Sequence, residues 1–169
     1  MTAPDDSLSR DFDEFYYANV HKLVLVLYAY TADTGLAQDC VQEAFTRAWA
    51  RWDRLVTYDN PGAWIRRVAL NVAANQWRRT RAVRAHAHYH RERVVDGPGP
   101  DRVALARALA AIPERHRRAV VLHHVADLSV GEIAASEGVA EGTVKSWLHR
   151  GRAALASQLT DTDTEDSHA

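Results

Sequence analysis

The chain is expected to be all-α, built as two small helical domains joined by a flexible linker. Three observations predict this. Apolar residues recur at helical spacing from Asp11 to Leu159, with almost none of the alternation that marks strands. The run Asp96-Gly97-Pro98-Gly99-Pro100 breaks that periodicity. A length of 169 residues suits one ordinary domain or two small helical ones. The resulting division is a first domain over 10–80, a linker over 81–100, a second domain over 101–157 and an acidic, disordered tail over 158–169.

In chain order, Phe12, Phe15, Asn19, Leu23, Leu27 and Tyr30 mark a first helix, followed by a turn over 31–35. A second apolar stripe runs Leu36, Cys40, Val41, Ala44, Phe45, Ala48, Trp49 and Trp52, with Asp39, Gln42, Glu43, Thr46 and Arg47 on the opposite face. A third helix opens after Asn60, with Pro61 in its first turn, where a missing N–H costs little. Its apolar face is Trp64, Ile65, Val68, Ala69 and Val72, while Arg66, Arg67, Asn71, Asn75, Arg78 and Arg79 lie largely elsewhere. These helices can bury one another's stripes. Beyond the linker, Val103, Leu105 and Leu109 lead to Ile112-Pro113, where one helix ends and the next begins. That helix carries Ala119, Val120, Leu122 and Val125 and stops near Asp127.

Composition narrows the setting. With 47% apolar and 25% charged residues the chain has the balance of a soluble globular protein. No apolar run approaches the roughly 20 residues that span a bilayer, and residues 1–10 lack the apolar core of a signal peptide. A lone Cys40 excludes an intramolecular disulfide. A cytoplasmic protein without membrane insertion is expected. The net charge of −1 hides an uneven distribution, because acids crowd both ends and leave a basic body. Arginines cluster at Arg66-Arg67, Arg78-Arg79-Arg81-Arg84, Arg115-Arg117-Arg118 and around Lys145-Arg150-Arg152. Charge alone fits a nucleic-acid binder, and fits equally well arginines that solvate helix faces.

The most specific local signal spans Ser129 to Leu148. Ser129 N-caps a short helix, and Glu132 completes a capping box. Ile133 and the small Ala134 face inward and allow a close helix crossing. Gly138 stands where a tight inter-helix turn needs a positive φ, and Val144 and Leu148 anchor the second helix, about 140–157. This is helix-turn-helix chemistry, with the second helix placed to enter a major groove. An ordinary helical hairpin with a charged face is the competing reading; the cap, Ala134, Gly138 and the anchors at fixed offsets together argue against it. On the second helix Lys145 or Arg150 suits guanine O6 and N7, Ser146 or His149 an adjacent edge, and Thr143 and Arg152 phosphates.

Here the chain resembles one family. Ile112-Pro-Glu-Arg-His-Arg-Arg-Ala-Val-Val-Leu-His-His-Val-Ala-Asp-Leu-Ser129 and the helix-turn-helix after it resemble the −35-binding domain of bacterial sigma factors. Ala37-Gln-Asp-Cys-Val-Gln-Glu-Ala-Phe45 and Ala63-Trp-Ile-Arg-Arg-Val-Ala-Leu-Asn71 resemble their core-binding and −10-binding domain. Two motif regions in order, on a short chain with a linker, are similar to the extracytoplasmic-function (ECF) group. The resemblance covers about residues 10–157 and implies a sigma2-like bundle and a sigma4-like helix-turn-helix domain.

The same resemblance implies partners and roles. The protein would bind the RNA polymerase core through the β′ clamp helices and β flap, would bind promoter DNA, and would be held by an anti-sigma factor. Asp39, Gln42, Glu43 and Phe45 would dock on the clamp helices, with Phe45 an aromatic anchor at the edge of a polar face. The loop from Trp52 to Pro61 would hold a base flipped from the −10 non-template strand. Arg66, Arg67, Asn71, Asn75, Arg78 and Arg79 would contact DNA beside it. Thr143, Lys145, Ser146, His149, Arg150 and Arg152 would serve the −35 element. Gln38, Cys40, Trp147 and Gly151 depart from the more usual family residues.

Two other readings compete. A conventional helix-turn-helix regulator would leave the first 80 residues without a role and shows no dimerisation helix. Metal binding by His86, His88 and His90, or by the adjacent His123 and His124, would need an ordered presentation that an Arg-rich linker does not supply. No phosphate loop, nucleophile elbow or paired-carboxylate motif is present, so neither a cofactor, a metal nor catalysis is expected. Of the tryptophans Trp49, Trp52, Trp64 and Trp77, helical spacing makes most of them core residues, with Trp52 and Trp77 the exposed exceptions.

Overall fold

The computed structural model describes residues 6–84 and 99–166. All regular structure among them is helical, in the order α1 (Asp6–Thr31), α2 (Thr34–Trp49), α3 (Trp52–Leu55), α4 (Pro61–Arg84), α5 (Pro100–Ala111), α6 (Glu114–His124), α7 (Val130–Glu137) and α8 (Glu141–Asp166). None of these helices is long and apolar enough to cross a membrane. The chain divides into two compact units, one of residues 1–27 with 34–93 and the other of residues 28–33 with 94–169.

In the first unit, α2 packs along α4. Both faces are built from small residues: Ala37, Cys40, Ala44 and Ala48 on α2, and Ala69, Ala73 and Ala74 on α4, all buried. Short side chains let the two backbones approach closely, and Val41, Ile65, Leu70 and Val72 fill the seam. α4 begins as expected: the Asn60 side chain accepts from the Ala63 N–H at 2.8 Å, with Pro61 at the first helical position.

The other end of α2 carries an aromatic cluster. The Phe45 ring lies 6.2 Å from Phe12, 6.0 Å from Phe15 and 4.7 Å from Tyr16, all tilted or edge-on. Trp52 stands 5.2 Å from Phe12 and 5.0 Å from Phe15. Three expectations need correction here. Phe45 is 4% exposed and Trp52 5% exposed, so both are core residues. Trp49, placed in the core from its spacing, is instead 44% exposed. The cause is the short helix α3: its first residue turns the Trp52 indole back onto α1, leaving Trp49 at the rim.

In the second unit, α6 packs on α8, and α7 on α8. Ala119, Val120, Val121 and Leu122 meet Ile133, Ala134, Val144 and Leu148 in the core. The closest approach is at Gly151: a β-carbon there would come within 2.7 Å of Val120 Cγ2 and 3.1 Å of the His116 carbonyl oxygen. Leu105, named among the apolar residues leading to Ile112-Pro113, is exposed.

The boundaries differ at two places. α4 runs four residues into the expected linker, to Arg84, and the rest of that linker, 85–98 with His86, His88 and His90, lies outside the described residues. α8 continues to Asp166, so residues 158–166 are helical where a disordered tail was expected. A helix already nucleated gains one hydrogen bond for each residue added. Ala153, Ala154 and Ala156 therefore carry it into an acidic segment that composition alone would leave unfolded.

Candidate nucleic-acid interface

Helix α7 and the turn after it are fixed by local polar chemistry. Ser129 Oγ accepts from the Glu132 N–H at 3.1 Å, and Glu132 Oε2 accepts from the Ser129 N–H at 2.8 Å, completing the expected capping box. Gly138 ends the helix at φ 67°, a left-handed conformation that glycine adopts without a Cβ penalty. Arg118 of α6 is paired with Glu137 of α7 at 2.9 Å, at side-chain exposures of 12% and 17%. Arg117 is fully buried and donates to the Ala110 carbonyl at 3.2 Å. Of the basic cluster Arg115-Arg117-Arg118, therefore, only Arg115 is exposed; the other two hold the unit together rather than face a polyanion.

On α8 the buried positions are Val144, Leu148 and Gly151, spaced four and three apart along one face. Lys145, His149, Arg150 and Arg152 are all exposed, while Thr143 and Ser146 are partly buried. Of the −35 candidates, Lys145, His149 and Arg150 thus face away from the buried side of α8. Arg152 is partnered as well, donating from Nε to His124 Nε2 at 3.3 Å. That bond requires a neutral His124 with its proton on Nδ1. Burial, then the neighbouring His123 ring and the Arg152 guanidinium, push the His124 imidazole below its ordinary range. His123 in turn lies 2.7 Å through Nδ1 from the Leu128 carbonyl, which can only accept, so its Nδ1 carries the proton. This bond closes the turn after α6, where Asp127 adopts φ 56°.

On α4, Arg67, Asn71, Asn75, Arg78 and Arg79 are exposed at offsets that place them on one helical stripe, and Arg66 is partly buried beside it. Arg78 Nη2 donates to Asn75 Oδ1 at 2.7 Å. Asp39, Gln42 and Glu43 are exposed on α2, and Arg47 pairs with Glu43 at 2.8 Å. Phe45 does not join them, because its ring is in the aromatic core. Its apolar character marked it as an anchor, but only the position of α1 could show that the anchor points inward.

Sequence reasoning named the loop from Trp52 to Pro61 but not the groups that line it. Trp52 and Leu55 are buried three apart, so α3 turns Asp53 and Arg54 outward. The turn is held by Leu55 N–H to Arg51 O at 3.0 Å and Val56 N–H to Trp52 O at 2.9 Å. A cavity of about 450 Å³ opens beside it, lined by Arg51, Asp53, Arg54, Leu55, Tyr58 and Trp64. The available signal was the run Arg51-Trp-Asp-Arg-Leu55, in which apolar residues three apart flank a pair of opposite charges.

Comparison with known proteins agrees with this geometry. The sequence profile of Sigma-70 region 2 matches residues 15–83, and that of Sigma-70 region 4 matches residues 102–155. The RNA polymerase sigma-E factor of Streptomyces avermitilis is 30% identical over 158 residues, covering 92% of this chain and 88% of that one. The ECF RNA polymerase sigma factor SigL of Mycobacterium tuberculosis is 32% identical over 151 residues, covering 83% and 85%. Among solved structures, the sigma factor RpoE of Bartonella quintana, crystallised with the anti-sigma factor NepR, superposes with a TM-score of 0.74 at 27% identity, covering 89% of this chain and 98% of that one. The chain belongs to the extracytoplasmic-function sigma factors of RNA polymerase, which direct promoter-specific transcription.

Proposed function

We propose that the two units divide promoter recognition, with α8 reading the −35 duplex and the α4 stripe with its adjacent cavity holding the melted −10 strand. The observation that carries this is the pair of outward polar stripes on α4 and α8, each backed by a fully apolar face. Lys145, His149 and Arg150 offer donors to base edges in a major groove, and Arg152 suits a phosphate. Arg67, Arg78 and Arg79 suit the backbone of an unpaired strand, with Asn71 and Asn75 between them. Binding single strands more tightly than duplex shifts the promoter towards its open form.

Asp39, Gln42 and Glu43 supply a polar face for docking on the β′ clamp helices of the polymerase core, and the second unit would meet the β flap. The phosphodiester chemistry then belongs to the polymerase, in the cytoplasm. The Bartonella relative's complex with NepR supports an anti-sigma factor as a further partner.

The test is transcription by bacterial core polymerase on fragmented genomic DNA, with the 5′ ends of transcripts sequenced. Defined starts that need this protein and share two upstream motifs are expected. Arg150→Ala should weaken dependence on the upstream motif, and Asn71→Ala on the downstream one. Absence of any protein-dependent start, together with no binding to core, would sink the proposal.

A further inference from the structure

We infer that His124 is a proton-linked ligand of the −35 backbone: neutral in the free protein, where it steers Arg152, and protonated once a phosphate settles on the pair. The inference rests on the proposal that α8 reads the −35 duplex, and adds a residue of α6 to that interface.

His124 closes α6 and Arg152 lies on α8, 28 residues further along the chain, yet the two side chains meet: Arg152 Nε donates to His124 Nε2 at 3.3 Å. Both are exposed, so a strand lying against this edge of α8 can reach both. Anchoring Nε fixes the plane of the guanidinium. It leaves the two Nη groups, which form the end-on fork that grips a phosphate. His123 is held in place otherwise: its Nδ1 is bonded to the Leu128 carbonyl at 2.7 Å, and its ring lies edge-on to His124 at 4.7 Å.

Burial, then the His123 ring and the Arg152 guanidinium, hold the His124 imidazole below its ordinary range, and no carboxylate acts on it among the described residues. Asp127 is exposed in the turn beyond. α7, packed on α6, has its carboxylates engaged, Glu132 in the cap and Glu137 with Arg118. α8 contributes Arg152, with His149 and Lys145 one and two turns before it, and α5 carries Asp101, Arg102 and Arg107. A proton on His124 is therefore opposed by its cationic neighbours in the free protein. A phosphodiester on the Arg152 fork supplies negative charge next to the imidazole and reverses that balance. The proton ends the bond to Arg152, since imidazolium only donates, and the phosphate becomes the acceptor for both groups. Affinity then rises as pH falls, because the bound state holds more protons than the free protein.

The experiment uses the protein assembled with polymerase core and a short duplex carrying the upstream motif defined by transcript mapping. Affinity is measured from about pH 8 to about pH 5.5 beside that of His124→Gln, which offers Arg152 an acceptor but cannot take a proton. The ratio of the two cancels the titration of His123, His149 and the polymerase, which both proteins share. Wild type is expected to gain about fivefold over His124→Gln across that range, the worth of one added cation–phosphate contact at a surface. Methylphosphonate substitution, one phosphate at a time, then locates the contact. A single position should erase the gain, and the same position should cease to matter in Arg152→Ala. A ratio that stays flat, or that drops with falling pH because the lost Arg152 bond outweighs the new charge, overturns the inference and leaves −35 reading standing. A gain that survives every methylphosphonate does the same. If wild type at about pH 8 binds the duplex no better than one with a scrambled upstream motif, −35 reading itself fails and the inference falls with it.

Discussion

The two units hold their polar faces by different means. In the second unit, α8 is located by short-range polar devices and one close contact: the Ser129–Glu132 box, Gly138 at positive φ, the Arg118–Glu137 pair and Gly151 against α6. In the first, the cavity and the α2 face are located by an aromatic cluster drawn from α1, α2 and α3. A site set by caps and turns is determined by neighbours in sequence, while a site set by packing depends on which ring fills which space. Perturbing each unit should therefore give different magnitudes and different spectroscopic signatures.

The largest effect is expected at Phe45. Phe45→Ala removes a ring that touches three others and should cost about 3–5 kcal/mol, enough to unfold the first unit. Four of the five tryptophans lie in that unit, at 49, 52, 64 and 77, so indole fluorescence should shift while circular dichroism keeps the helicity of the second unit. A protein that keeps its fluorescence and melting profile but loses core binding would return Phe45 to a docking role.

Gly151→Ala tests the second unit's packing. Its β-carbon would strike Val120 and the His116 carbonyl. Overpacking should cost about 1–3 kcal/mol, reduced by the roughly 1 kcal/mol that Ala gains over Gly in a helix interior. A melting temperature that rises would mean that α6 and α8 can separate freely. Ser129→Ala removes one half of the capping box and should cost about 1 kcal/mol, read as a lower melting temperature with unchanged fluorescence from the first unit.

The smallest effect is the pH response of His124. Its imidazole lies below the ordinary 6.5, so the folded state favours the neutral ring. Its contribution is complete above about pH 6.5 and is lost as pH falls through the lowered value. His124→Gln keeps an acceptor for Arg152 and cannot titrate. It should flatten the fall in melting temperature between about pH 7 and 5; an unchanged slope would assign that fall to other groups.

The sequence by itself determined the class, the helices and the helix-turn-helix, because periodicity, N-caps, a proline at a first turn and a left-handed glycine all act within one turn of the chain. Ser129, Glu132, Gly138, Val144, Leu148 and Asn60 stand where local chemistry placed them. It also gave the outward stripes of α4 and α8, since helical spacing fixes which residues share a side. What only the tertiary structure decided is which apolar and basic groups face inward. Phe45 and Trp52 are buried and Trp49 is exposed because α3 folds back on α1. Arg117 and Arg118 serve the core because α6 is covered on their side. The helical run to Asp166 and the α3 cavity belong with these. The first depends on a helix nucleated upstream, and the second on residues 51–64 closing into a loop. Only the second is set by chain segments that meet in space, which spacing along the sequence cannot register.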